Sequence, residues 1–328
     1  MSELEKRLEK IFRETTAEEH ELYKKAAQEI KNGNLVAFPT ETVYGLGADA
    51  LNAEAVAKIY EAKGRPSDNP LILHVSGLEM VKRLVELNEN AVKLMEAFWP
   101  GPLSVVLPAK EIVPSRTRGG LETAAVRMPD NRIALELIKE ADLPIAAPSA
   151  NKSGRPSPTD AETVRNDIGS AVTYVLDGGE TQYGLESTVV DMTGENPVML
   201  RPGGVTAKDI EKVLGLKVQK PMDANTIKRS PGTRYRHYAP KLPMYLSLPE
   251  EAEKMAENKK WGWIGIGEPA GNPEVKIKFA NKEEYAHGLF RTLRNIENSG
   301  IDLIIAERPD EEGIGRALLD RLNRAAGN

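Results

Sequence analysis

Three polar segments in this chain combine turn formers with cations and hydroxyls: Lys63-Gly64-Arg65-Pro66-Ser67-Asp68-Asn69-Pro70, Pro148-Ser149-Ala150-Asn151-Lys152-Ser153-Gly154-Arg155-Pro156-Ser157 and Ser230-Pro231-Gly232-Thr233-Arg234-Tyr235-Arg236-His237-Tyr238. Proline and glycine restrict a loop backbone, while Arg, Lys, Ser and Asn turn donors toward phosphate or carboxylate oxygens. The first two segments share Gly-Arg-Pro-Ser. Lys63 and Arg65 follow an expected helix, and Arg201-Pro202-Gly203-Gly204 follows an expected strand, Val198–Leu200. Loops at element ends meet in clefts, where two or three cations could neutralise a triphosphate. Taken singly, each arginine is more often a surface ion-pair residue. No Gly-x-x-x-x-Gly-Lys-Ser/Thr loop is present, so a nucleotide would be held by side-chain cations instead.

Arg127 closes the short apolar run Ala124-Ala125-Val126 and is followed by Met128-Pro129. A guanidinium there needs a carboxylate. A small-molecule carboxylate held bidentately would serve, and an internal Asp or Glu serves equally well. His74 sits in an apolar strand and reads as a hydrogen-bonded core histidine. His20, His237 and His287 show no metal-ligand spacing, and no metal site is expected from protein residues. Gly184-Leu185-Glu186-Ser187-Thr188 lacks the second glycine of a nucleophile elbow, so Ser187 reads as a hydrogen-bonding residue. The residues together suggest a site for two anionic groups, one phosphate-like and one carboxylate-like. Such a site works by positioning and charge neutralisation, without a covalent intermediate.

The elements that must position these groups form an irregular α/β alternation. Helices are predicted over Ala17–Lys31, Ala53–Ala62, Leu78–Leu87, Glu89–Phe98 and Ile133–Glu140. Strands are predicted at Leu35–Phe38, Leu71–Val75, Ser104–Leu107, Thr123–Arg127, Ile145–Ala147, Tyr174–Leu176 and Thr188–Asp191. A mixed sheet follows from that irregularity. Residues 17–206 form one expected domain. Residues 207–241, with a short helix at 207–214 and then few apolar periods, read as a linker or lid. Residues 242–328 read as a smaller Rossmann-like α/β domain. Gly313-Ile314-Gly315-Arg316 imitates a dinucleotide fingerprint without its third glycine and reads as a helix start.

Composition narrows the function classes. The chain has 328 residues, 40% of them hydrophobic, and no cysteine, which excludes disulfides, zinc-thiolate sites and cysteine nucleophiles. That usage fits a reducing cytoplasm. No apolar run approaches the ~18 residues of a membrane span, and the charged start is unlike a signal peptide. A net charge of −5 argues against coating nucleic acid. Positive charge gathers locally between Lys217 and Lys241, where seven basic residues face only Asp223. Such a stretch suits a single anionic ligand or a solvated basic linker equally.

The motifs Phe38-Pro39-Thr40-Glu41-Thr42-Val43-Tyr44-Gly45-Leu46, Lys63-Gly64-Arg65-Pro66, Trp99-Pro100-Gly101-Pro102-Leu103, Val126-Arg127-Met128-Pro129, Ala147-Pro148-Ser149-Ala150-Asn151, Glu186-Ser187-Thr188-Val189 and Leu200-Arg201-Pro202-Gly203 resemble the threonylcarbamoyl-AMP synthase family. Ser230–Pro240 and the C-terminal segment resemble its two-domain form. The resemblance implies a YrdC-like twisted mixed sheet. It also implies a reaction: L-threonine, bicarbonate and ATP, with Mg²⁺, give threonylcarbamoyl-adenylate, pyrophosphate and water, supplying a downstream tRNA threonylcarbamoyl transferase in the cytoplasm. By motif it places Thr42, His74, Arg127, Ala147 and Ser187 around threonine, with Arg127 on the carboxylate. Arg65, Asn69, Thr123, Ser149, Ser157, Arg201 and Tyr235 would contact ATP, with Lys63 and Asn151 close by. Lys63 and Arg65 would stabilise charge. Two other readings stand beside it: a carbamoyl-adenylate-forming module of the same fold, and an RNA-binding protein. The acidic pI and the lack of aromatic RNA-stacking motifs weigh against direct tRNA binding.

Overall fold

The structure, a computed structural model, describes residues 3–12, 15–230 and 237–327. The larger body is built on strands β1 (Val36–Phe38), β2 (Gly45–Asp49), β3 (Ile72–His74), β4 (Leu103–Pro108), β5 (Thr123–Arg127), β6 (Ile145–Ala146), β7 (Tyr174–Val175), β8 (Thr188–Asp191) and β9 (Val198–Arg201). They form one sheet in the order β7-β1-β2-β6-β3-β5-β4-β8-β9. Pairs β1/β7, β3/β5 and β4/β8 are parallel and the rest antiparallel, so the sheet is mixed as expected.

Helices pack on this sheet through the apolar stripes visible in the sequence. Helix Ala17–Lys31 buries Tyr23, Ala26, Ala27 and Ile30, the i, i+3, i+4, i+7 pattern, and starts at a capping box between Thr16 and Glu19. Helix Ala53–Lys63 stops at Gly64, whose left-handed φ of 62° turns the chain so that Arg65 enters the molecule.

Several elements lie where none is predicted, among them helices Glu3–Phe12 and Ala224–Ile227. Strand β2 falls in Gly-Leu-Gly-Ala-Asp, where no strand is predicted and glycine disfavours one. The reason is close approach: a Cβ on Gly47 would lie 2.8 Å from both Phe38 and Ile145 side chains. Helix Ala161–Ile168 was also not anticipated. It is capped by Asp160 and buries Ala161, Val164 and Ile168. The segment 207–241 is not linker throughout: helix Ala207–Leu214 buries Ile210 in the main core, and Gln219 bridges Val198 of β9.

The second body is an all-parallel sheet, β10 (Met244–Ser247), β11 (Trp261–Gly265), β12 (Val275–Lys278) and β13 (Leu303–Glu307), in the order β10-β13-β11-β12. Helices Lys282–Ile296 and Gly315–Ala326 cover it, so the Rossmann-like expectation matches this layering and the Gly-Ile-Gly stretch opens a helix.

The bodies are joined by more than the chain. Val43 and Leu185 of the larger one and Tyr238 enter the core of the smaller. Arg155 grips Glu297 with bonds of 2.8 and 2.7 Å, and Arg294 grips Asp167 with bonds of 3.0 and 2.7 Å. No helix among the described residues is long and apolar enough to cross a membrane.

Where β9 turns back toward β8, Gly203 passes so close that a Cβ would lie 2.2 Å from the Thr188 nitrogen and 2.6 Å from the Ser187 carbonyl carbon. Backbone cannot yield as a side chain does. Gly203→Ala should therefore cost about 3 kcal/mol or more in urea unfolding. Gly64→Ala meets no atom within 4 Å and pays only for its φ, so it should cost about 1 kcal/mol.

Candidate active site

One cavity opens where the 40–44 segment, β2, β3, β5, β9 and the start of the 148–157 loop converge, with His237 and Tyr238 closing one side. Of the expected residues, Thr42, Arg65, His74, Arg127, Ala147, Ser149 and Arg201 line it together.

One end is carboxylate-like in its demands. The Arg127 Nη2 donates to Thr42 Oγ1 at 2.9 Å and lies 2.7 Å from Glu41 Oε2, both side chains being buried. Glu41 is thus an internal carboxylate on Arg127, the alternative left open by sequence. The contact is off-line, however: Arg127 Nε and both Glu41 oxygens have no hydrogen-bond partner among the described residues. Charge is balanced while donor capacity remains. Thr42 is fixed by its neighbour, since Thr40 Oγ1 contacts Thr42 Oγ1 at 2.8 Å and accepts from the Thr42 and Val43 amides. His74 packs edge-on against Phe38, and its Nδ1 is buried without a partner among the described residues. Ser187 Oγ meets Ser104 Oγ at 2.8 Å and accepts from Arg201 at 3.1 Å.

The other end gathers cations on backbone carbonyls. Lys63, buried, donates to the carbonyls of Ser149 and, at 2.5 Å, Asn151. Arg65 donates to the carbonyls of Asn69 and Pro70 at 3.4 and 3.1 Å. Burial, and then the neighbouring Arg65, hold the Lys63 ammonium well below the usual lysine range; burial lowers both Arg65 and Arg201 to about 10. Asn69 is fully buried with both amide atoms unpartnered, and the hydroxyl of Thr123 and the Oδ1 of Asn151 are likewise unpartnered among the described residues. Buried polar groups are almost always hydrogen-bonded, so these three side chains retain hydrogen-bonding capacity that the described residues do not use. Ser157 is occupied, donating to Glu186 Oε1 at 2.5 Å. Tyr235 lies outside the described residues.

Sequence reasoning missed Glu41 as the partner of Arg127, and it passed over Glu186 and Arg321, which meet at the cavity wall. Arg321 did carry a signal. It sits at a core position of its helix, between Leu318 and Leu322, where an arginine needs a buried partner. The fold also brings His20 beside Glu136 and Glu140, with one ligand atom of each within 4.8 Å of the others, a grouping no local spacing revealed.

A family model described as "Telomere recombination" matches residues 28–203, and one described as "Threonylcarbamoyl-AMP synthase, C-terminal domain" matches residues 205–327. A threonylcarbamoyl-AMP synthase of Pyrococcus abyssi is 46% identical over 317 residues, covering 92% of this chain and 93% of that one. The chain belongs to the threonylcarbamoyl-AMP synthase family. A Bacillus subtilis synthase is 45% identical, with 92% of each chain covered. Among solved structures, P. abyssi Sua5 complexed with L-threonine superposes with a TM-score of 0.88 at 45% identity, covering 94% of this chain and 95% of that one. Both bodies of the synthase fold are therefore present here.

Burial, reinforced by Arg127 for His74 and by Arg65 for His237, lowers both imidazoles from an ordinary 6.5 to about 3. Between those values the unfolded chain binds protons that the native chain refuses. Stability should be complete above pH 6.5 and fall as pH drops toward 3, by about 2 kcal/mol per imidazole at pH 5. His74→Asn should flatten that slope in urea titrations between pH 7 and 5. An unchanged slope would mean that His74 titrates normally in the folded protein.

Proposed function

We infer that this chain makes threonylcarbamoyl-adenylate and pyrophosphate from L-threonine, bicarbonate and ATP. The observation that carries this reading is one cavity with two anion-seeking ends: Arg127 with Thr42 and His74 at one, and Arg65 and Arg201 at the other, where Lys63 stands behind the lining on the Ser149 carbonyl. A threonine carboxylate would take the open donor capacity of Arg127. The threonine hydroxyl would meet the buried polar atoms of Thr42, His74 and Ser187, a set that rejects an analogue without the group because those atoms would then stay unpaired. Ala147 bounds the same pocket.

The amine, set between the two ends, takes up bicarbonate as a carbamate with loss of water. A carbamate oxygen then attacks the α-phosphorus as pyrophosphate leaves. No protein nucleophile is needed, and the chain contributes in-line placement and charge stabilisation. Lys63 and Arg65 suit the triphosphate because neither is committed to a carboxylate among the described residues; carbonyls hold them until phosphate oxygens compete. Asn69, Thr123, Ser149, Asn151 and Ser157 supply further polar contacts around the nucleotide. We propose that Mg²⁺ enters as the magnesium complex of ATP. The carboxylates nearest the cavity, Glu41 and Glu186, are engaged by arginines, so phosphate oxygens and water are the fitting ligands. The adenylate would pass to a transferase that modifies tRNA.

Pyrophosphate release from Mg·ATP and bicarbonate should require L-threonine and be much weaker with serine. Release with carbamoyl phosphate in place of threonine would transfer the assignment to carbamoyl-adenylate chemistry. Arg127→Ala should raise the KM for threonine by about 100-fold or more, while ATP affinity is largely kept. It should also lower the unfolding midpoint, because Glu41 is left buried without its cation. Unchanged threonine saturation would remove Arg127 from the carboxylate site.

A further inference from the structure

The guanidinium of Arg321 belongs to the last helix of the smaller body, yet it is fully buried against the wall of the cavity in the larger one. Its Nε donates to Glu186 Oε2 at 2.8 Å, its Nη2 to the Glu186 carbonyl at 3.1 Å, and its Nη1 to the Pro202 carbonyl at 3.0 Å and Asp320 Oδ2 at 2.7 Å. The ring of Tyr238 covers it, 5.8 Å from Cζ, and is itself stacked on Phe290. One side chain therefore ties down two segments that shape the cavity, Glu186-Ser187 and Arg201-Pro202. Through Glu186 it also reaches a third, because the other Glu186 oxygen accepts from Ser157.

Glu186 is the unexpected group. It is a buried carboxylate lining a cavity whose other charged lining groups are Arg65, Arg127 and Arg201. A bare carboxylate there would repel a triphosphate and, being desolvated, would do so across a low-dielectric gap. Burial pushes its carboxyl up, but Arg321 and then Arg201 outweigh burial and hold it below the usual carboxylate range. It is ionised and needs its cation.

We propose that Arg321 is a positioning residue for the nucleotide: the smaller body inserts it to neutralise Glu186, so that Ser157 and Arg201 stand in register for ATP. The smaller body is then a working part of the adenylation site. This rests on the reading that the cavity takes ATP.

The test compares wild type, Arg321→Met, Glu186→Gln and the double variant. The readouts are KM for ATP and for threonine, titration with a non-hydrolysable ATP analogue, and thermal midpoint. Arg321→Met should raise the ATP KM at least 10-fold and change the threonine KM much less. The double variant should recover most of that loss, because the unpaired carboxylate is gone. If Arg321→Met does not fold, Arg321→Lys takes its place; it keeps the charge but cannot reach Glu186 and Pro202 together, and should give an intermediate ATP KM that Glu186→Gln improves. Glu180→Gln, which removes the ion pair with Arg291 between the bodies outside the 148–157 loop, separates docking from positioning. It should lower the midpoint and leave the ATP KM within 2-fold. The proposal is overturned if the double variant binds nucleotide no better than the single one, or if ATP affinity merely tracks the midpoint across the series. If wild type releases no pyrophosphate but binds the analogue, the activity reading fails and the titration series still decides the role of Arg321. If wild type does not bind the analogue, both fall.

Discussion

Taking cations out of water around a single cavity is the constraint on which this structure depends. Lys63, Arg65, Arg127, Arg201 and Arg321 are all buried, and the desolvation of each costs several kcal/mol before any partner is counted. Two of them are balanced by carboxylates, Arg127 by Glu41 and Arg321 by Glu186. Lys63 and Arg65 are held by main-chain carbonyls of the 149–151 and 69–70 segments. Carbonyl dipoles offset part of the cost without cancelling the charge, which leaves a positive field aimed into the cavity.

That division of labour accounts for the architecture around it. Carbonyls can face a buried ammonium only if the loop that bears them is fixed, which is why both polar loops are dense in proline and glycine and tied to neighbours. Lys152 reaches back to the Ala62 carbonyl, the Ser153 amide donates to the Lys63 carbonyl, and Asn151 donates to the carbonyls of Lys152 and Arg155. A polar network of this kind is rigid when fully satisfied. Here capacity is left open at His74, which lines the cavity, and at the buried Asn69, Thr123 and Asn151. Unpaired buried polar atoms oppose stability.

The smaller body shares this logic. Its parallel sheet is an ordinary apolar assembly, but the helix that covers it places an arginine where periodicity calls for an aliphatic residue. The cost of burying Arg321 is met across the domain boundary by Glu186, so neither body contains a satisfied version of this pair alone. Val43 and Leu185, which flank the Thr42 and Glu186 positions in the chain, are buried in the core of the smaller body. Cavity wall and interface are therefore one surface.

Much of this was legible in the chain. The helix Ala17–Lys31 and strands Thr123–Arg127 and Thr188–Asp191 follow from local periodicity and breakers, because those signals are carried within a few residues. The loops bearing Lys63, Arg65, Ser149 and Asn151 announced themselves through turn chemistry beside cations, and the long motifs pointed to the family. Strand β2 was hidden because its glycines serve contacts with Phe38 and Ile145, which are distant in sequence. The Glu41–Arg127 pair, separated by 86 positions, and Glu186–Arg321, separated by 135, were hidden for the same reason. Sequence by itself determined which residues could bear charge, turn the chain or fill a core, since those are properties of residues and near neighbours. Only the tertiary structure decided which charges cancel and which stay open to a ligand, because desolvation and pairing depend on distances that the chain sets only when folded.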